Sequence, residues 1–242
     1  MIELLQMRGD RIPGKTLCYF SLGLIFFLIV SINPQTVQSQ TYVSVFGGLN
    51  HTTESDITDK FVVAGVEATA RGSLETDNGY VAGLTIGKKF DNISLELELS
   101  YRENDLDELT FDSISALGTT IAINLGNVPI EGTQSSRSAM INGWFDLPMD
   151  SLTPYVGGGV GISNVNLEVD SIAGAAATFD ESDTVFAFQA GAGIKFSVSG
   201  STSIDLGYRF FAAHDPVHDD GVDEVEVDYQ NHSAMVRLIF HL

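Results

Sequence analysis

Apolar and polar residues alternate along this chain with a period of two, in eight separate blocks. The clearest block is residues 93–102. There Ile93, Leu95, Leu97, Leu99 and Tyr101 alternate with Ser94, Glu96, Glu98, Ser100 and Arg102. Successive side chains of a strand point to opposite faces, so this block predicts a strand with one apolar and one polar, charged face. Residues 41–49, 79–90, 137–147, 153–163, 184–196, 202–211 and 232–242 read in the same way. In the first, the apolar residues divide between Val43, Val45 and Leu49 on one face and Tyr42 and Phe46 on the other. In the last, Ala234, Val236, Leu238, Phe240 and Leu242 oppose Ser233, Met235, Arg237, Ile239 and His241. This strand runs to the final residue, so no soluble tail is expected after it.

The connections carry a second pattern. Long polar stretches at 50–78, 103–136, 164–183 and 212–229 alternate with short turns at 91–92, 148–151 and 198–201. Within the second long stretch, residues 114–125 are apolar and β-branched, which suits either a strand extension or a short helix. Alternating long and short connections are the rhythm of a membrane barrel with short periplasmic turns and long outer loops. A soluble barrel has no reason to alternate so regularly, and it is apolar inside and polar outside. Here the polar face carries charges of both signs, while the opposite face is rich in Leu, Phe and Tyr. In water that apolar face would exceed any normal exposed patch. The expected fold is therefore all-β: an eight-stranded antiparallel up-and-down transmembrane β-barrel.

The N-terminal end adds a destination. Arg8, Arg11 and Lys15 precede an uncharged apolar run at residues 17–32, Asn33 and Pro34 break it, and Val37 and Ser39 offer small cleavage positions. This is the layout of a secretory signal peptide, and the run is short of the ~20 residues a spanning helix needs. Residues 1–39 are expected to be cleaved, leaving a barrel domain at 40–242. Translation begins at Met1 or, because Glu3 and Asp10 are unusual in a leader, at Met7. The net charge of the whole chain is −20 and Cys18 is its single cysteine. With Cys18 in the leader, the remainder crosses an oxidising compartment with no thiol to mispair. So acidic a chain excludes nucleic-acid binding by charge.

Three segments then carry a resemblance. Residues 153–161 read TPYVGGGVG, residues 188–193 read FQAGAG and residues 204–209 read IDLGYR. With the leader and the eight alternating blocks, they resemble the small outer-membrane β-barrel family: OmpA-like transmembrane domains, opacity-type surface antigens and "porin family" outer-membrane proteins. The resemblance covers residues 41–242 and implies a Gram-negative outer-membrane location. It also implies an aromatic final residue, whereas this chain ends in Leu242 with Phe240 two positions earlier.

On the polar faces, Glu96, Glu98, Arg102, Asn142, Gln189, Lys195, Asp205, Arg209 and Arg237 point inward. Eight strands leave an interior just wide enough for side chains to fill. Buried charges must pair, and guanidinium groups bridge carboxylates well. A lumen charge network of Glu96, Glu98, Arg102, Asp205, Arg209 and Arg237 is expected, with Gly157, Gly159 and Gly161 making room for it. The functional alternative is a narrow polar channel. No catalytic set is found: His232 and Ser233 are adjacent and so face opposite sides of a strand. The stretch 214–229 holds seven acidic residues and no Lys or Arg. A solvated loop is the default for such a run, and a divalent-cation site is the alternative, with Asp219, Asp220 and Asp223 as candidate ligands. No cofactor is expected. The expected partners are outer-membrane lipid and lipopolysaccharide, and an extracellular or host surface ligand reached through the loops. A monomer is expected. Function then divides between a non-enzymatic barrel for envelope structure or surface adhesion and a small-solute pore.

Overall fold

The computed structural model describes residues 39–242, apart from 54, 64–65, 123–126, 148, 150–151, 215–216, 220–223 and 228. The regular structure is strand throughout. In chain order the first strands are β1 (Ser39–Thr52), β2 (Ser55–Val63), β3 (Val66–Thr76) and β4 (Gly79–Phe90). There follow β5 (Ile93–Ala116), β6 (Thr119–Ala122), β7 (Val128–Asp146), β8 (Thr153–Ile172) and β9 (Ala175–Ser199). The last are β10 (Thr202–Ala213), β11 (Val217–Asp219), β12 (Glu224–Val227) and β13 (Tyr229–His241).

Eight of these close a ring. β1 pairs with β4, β4 with β5, β5 with β7, β7 with β8, β8 with β9, β9 with β10, β10 with β13, and β13 returns to β1, every pair antiparallel. Closure leaves the ring no unpaired edge, the condition for a sheet to cross lipid. The expected barrel is thus present, and its faces follow the alternation. Leu84, Leu99, Phe145, Val156, Phe188, Leu206 and Val236 are exposed on the outside, as residues facing hydrocarbon must be. In β1 the ambiguity resolves with Tyr42, Ser44 and Phe46 buried inside.

Among the described residues, the long connections are largely strand. β8 and β9 stay paired up to Ile172 and Ala175 and reverse at Ala173 and Gly174, whose φ angles are 51° and 75°. Positive φ at both central residues is what a two-residue hairpin of type I′ requires. Residues 164–183, expected as a polar connection, are therefore the upper part of a continuous β-ribbon. Residues 119–122 likewise form β6, which folds back on the end of β5 through Leu117 and Gly118. The open choice between strand and helix resolves as strand over residues 114–116 and 119–122, and 123–125 lie outside the described residues. The first connection supplies the β2–β3 hairpin, and β3 pairs with the upper half of β5. The last supplies β11 and β12, with β12 against β2.

The reason lies in solvent. A membrane strand needs about 9–11 residues to cross, and β5 has 24. Its inward side begins Ser94, Glu96, Glu98, Ser100, Arg102, Asn104 and then continues with buried Leu106. In β8 the inward Val165, Leu167 and Val169 are buried, while Glu168 and Asp170 face out. Above the lipid, water lies outside the barrel and the interior becomes apolar, so one strand keeps its period and inverts its polarity. Leu74, Leu106, Leu109, Ile130, Leu167 and Val169 pack there into a hydrophobic core of the ordinary soluble kind.

Candidate functional site: the barrel interior

Within the lipid zone the interior is filled by layers of polar side chains. At the end of the short turns, Asp146 on β7 is fully buried and accepts from Lys89 Nζ at 2.6 Å and Lys195 Nζ at 2.7 Å. β4 and β9 are thereby tied through β7, across the mouth of the barrel. The Lys195 ammonium also lies 4.7 Å from the centre of the Tyr155 ring.

The next layer is centred on Arg237 of β13. Its Nε donates to Asp205 Oδ2 at 2.8 Å, its Nη2 lies 2.7 Å from the same oxygen, and its Nη1 donates to Glu96 Oε1 at 2.8 Å. Glu96 receives two more donors, Tyr42 Oη and Trp144 Nε1, both at 2.8 Å. Asp205 receives Tyr155 Oη at 3.0 Å. One guanidinium and two carboxylates thus connect side chains from β1, β5, β7, β8, β10 and β13. Both Glu96 oxygens and Asp205 Oδ2 face N–H or O–H donors, which helps keep the desolvated ions tolerable, while Asp205 Oδ1 has no hydrogen-bond partner among the described residues.

The remaining charges are held differently. Among the described residues, Arg209 has no carboxylate within ion-pair distance. Its guanidinium lies 3.8 Å from the centre of the Trp144 ring and donates to Tyr155 Oη at 3.3 Å. Glu98 accepts from Asn142 Nδ2 at 2.9 Å and Gln189 Nε2 at 3.3 Å. Arg102 donates to Ser100 Oγ at 3.0 Å and stacks 4.0 Å from the centre of the Phe211 ring. The structure therefore brings Arg237, Glu96 and Asp205 into one ion-pair cluster, and leaves Glu98, Arg102 and Arg209 beside it on amides and aromatic faces. The six together are three guanidiniums and three carboxylates, none more than 3% exposed. Their charges balance in number, though only half of them touch an opposite charge.

Above this lies an amide layer. Asn50 Nδ2 donates to Asn104 Oδ1 at 2.6 Å and to Asn231 Oδ1 at 2.5 Å, and Ser233 Oγ donates to Asn50 Oδ1 at 2.7 Å. Small residues make room between the layers. A Cβ on Gly159 would overlap the Asn142 amide, and one on Gly191 would meet the Arg209 side chain. Ser233 is committed to this inner layer, whereas its neighbour His232 faces outward and bonds Tyr208 Oη through Nδ1 at 2.5 Å. The two share no site. Of the acidic residues considered for a cation, Asp219 closes β11, where its backbone pairs with Glu224. Asp220 and Asp223 lie outside the described residues.

Sequence reasoning passed over Asp146, Lys89, Tyr42, Trp144 and Tyr155 as parts of the interior network. The signal was available for four of them: Trp144 shares the inward phase of Asn142, and Tyr155 that of Gly157, Gly159 and Gly161. Asp146 continues the inward phase of Met140, Asn142 and Trp144, and Lys89 that of Gly83, Thr85 and Gly87.

Comparison with known proteins agrees with this architecture. The profile of the family described as "Outer membrane protein beta-barrel domain" matches residues 22–240. Outer membrane protein PagN of Salmonella typhimurium is 30% identical over 147 residues, covering 57% of this chain and 59% of PagN. The chain thus spans about three-fifths of that relative's length. Among solved structures, OprG of Pseudomonas aeruginosa superposes with a TM-score of 0.50 at 14% identity, covering 84% of this chain and 96% of OprG. Neisserial surface protein A gives 0.45 at 11% identity, covering 83% of this chain and 96% of its own. The chain belongs to the outer membrane protein β-barrel domain family, and its place is the outer membrane.

Proposed function

We propose that this protein is a non-enzymatic outer-membrane barrel whose lumen is filled by its own side chains and whose function lies in the β-structured extension above the membrane. The observation that carries the reading is the Arg237–Glu96–Asp205 cluster. It joins opposite walls of the barrel with buried charge, and breaking it would strand ions away from water. In such a barrel the lumen serves stability, and recognition falls to the outer surface. The upper ribbons of β5, β7, β8 and β9, with the β2–β3 hairpin, form a rigid platform for contact with an extracellular or host surface ligand. As a closed unit with its own core, the barrel acts as a monomer.

The test is electrical. Purified protein reconstituted in planar bilayers is expected to give no unitary conductance steps. Stable steps from the wild type, abolished by bulkier residues at Gly159 or Gly191, would establish the small-solute pore instead. If the lumen is silent, binding of the purified barrel to extracellular-matrix proteins examines the platform directly. Shortening the β8–β9 ribbon by removing residues 166–181 is expected to abolish such binding while the barrel still migrates anomalously when unboiled on detergent gels.

Export follows the leader. Residues 1–39 act as a signal peptide, with a mature chain that starts at Gln40. N-terminal sequencing of outer-membrane material checks this: a mature chain retaining residues 17–32 overturns the cleavage.

A further inference from the structure

The lipid-facing wall carries a feature unrelated to the lumen. On the outside of β5, β7 and β8, Leu99, Ala139 and Ile162 sit side by side in register, and the methyl of Ala139 leaves a depression between its larger neighbours. The groove measures ≈ 300 Å³. One register step toward the outer surface lies a second row, Tyr101, Arg137, Asn164 and Thr184, and the last three border the same groove. An apolar trough thus ends in a cation, an amide and a hydroxyl.

Arg137 is exposed. Among the described residues it has no carboxylate within ion-pair distance, and its guanidinium lies 6.0 Å from the centre of the Tyr101 ring. Glu103, on the same face, is taken by the Tyr101 hydroxyl. Asn164 Nδ2 donates to Thr184 Oγ1 at 3.1 Å and to the Asp183 carbonyl at 3.4 Å, which fixes the amide beside the groove. In a chain of net charge −20, an uncommitted guanidinium directly above an apolar groove is an unusual placement. The height fits a boundary. Inward of this row the barrel is still polar at Arg102 and Asn104, and four residues beyond Arg102 the interior turns apolar at Leu106, where water replaces lipid outside.

We propose that this groove holds one phosphorylated glycolipid of the outer leaflet. An acyl chain lies along Leu99, Ala139 and Ile162, and a headgroup phosphate meets Arg137, with Thr184 Oγ1 as a second donor. The complementarity is of shape and charge together. Hydrocarbon fills an apolar depression inside the membrane, and a planar guanidinium at its mouth presents a fork suited to phosphate oxygens. The outer leaflet supplies both parts in one molecule, at the depth where the row lies.

Native mass spectrometry from detergent tests this with lipid A as the probe. Four proteins are compared: wild type, Arg137→Ala, Ala139→Leu, and Ala82→Leu, which makes the same enlargement at an outward position on β4. Anomalous migration of the unboiled sample checks that each is folded. Wild type and Ala82→Leu are expected to retain one bisphosphorylated lipid A. Arg137→Ala is expected to lower retention roughly tenfold, the scale of losing one charge-assisted hydrogen bond. Ala139→Leu fills the groove and is expected to lower it similarly. Dephosphorylated lipid A, offered to the wild type, is expected to bind no better than bisphosphorylated lipid A binds Arg137→Ala. Equal retention by all four proteins would overturn the site. Retention that survives removal of the phosphates would overturn the role of Arg137. Equal retention of phosphatidylglycerol would overturn the assignment to a glycolipid.

Discussion

Replacing Arg237 with Ala is expected to destabilise the barrel by ~3–5 kcal/mol, the largest loss for any single side chain of the interior. The size follows from what remains. Glu96 and Asp205 are each 1% exposed, and both depend on this guanidinium for charge compensation. Without it, two buried carboxylates are left with only Tyr42, Trp144 and Tyr155 as side-chain donors among the described residues. Urea unfolding in liposomes, read from the fraction migrating as the compact unboiled form, measures the change. Arg209→Ala provides the contrast. That side chain is held by the Trp144 face and a long hydrogen bond to Tyr155, so its removal strands no directly paired carboxylate. A loss of about 1–2 kcal/mol is expected, the scale of a desolvated cation–π contact. The triple replacement Arg237→Leu, Glu96→Gln, Asp205→Asn is expected to recover part of the loss, because neutral partners no longer need a counter-ion. An unchanged midpoint for Arg237→Ala, or equal losses at Arg209 and Arg237, would show that the Arg237 cluster does not hold the walls together.

The difference between the two arginines marks where sequence stops being sufficient. Strand phase places Glu96, Glu98, Arg102, Asp205, Arg209 and Arg237 inside the barrel without ambiguity, because period two admits only two faces and one of them must meet lipid. Partner choice depends on height and shear around the ring. Arg237 lies directly opposite Asp205 on the neighbouring strand, and both are inward. Its second partner, Glu96, lies on β5, three strands away across the β1–β13 seam, at a register that no local pattern encodes. Arg209 is four residues up the same strand from Asp205, and its level holds the Trp144 ring where a carboxylate would be needed.

The ribbons above the membrane differ from the expected polar connections for a related reason. Residues 164–170 read NVNLEVD, which is as strictly alternating as any membrane block. Charge on its outward side made it look like loop, on the assumption that an outward face is always apolar. That assumption holds only at the depth of the hydrocarbon. Above it the same ladder continues with the polarity rule of a soluble barrel, and Val165, Leu167 and Val169 are the residues that report the change.

This inversion has a consequence that can be measured. Leu167→Asp is expected to unfold the upper half of the barrel while leaving the membrane half closed. Leu167 is 4% exposed and packs with Leu74, Leu106, Leu109, Ile130 and Val169. No buried donor surrounds it in that cluster, so a carboxylate there meets the desolvation cost of an unpaired ion, several kcal/mol. The membrane half does not share that core. Its layers are set by Asp146, Arg237 and Glu98, and its outer face is fixed by lipid. Limited proteolysis of intact cells reads the outcome. The wild-type β8–β9 ribbon should resist cleavage, since its two strands stay hydrogen-bonded up to the turn at Ala173 and Gly174. The variant should be cut between residues 164 and 183, and the clipped protein should still run as a compact species before boiling. Two other results would each reject the division. Resistance equal to wild type would mean that Leu167 is not part of a packed core. Loss of the compact species would mean that the two halves fold as one cooperative unit, with the outer core as necessary to the ring as the charges within it.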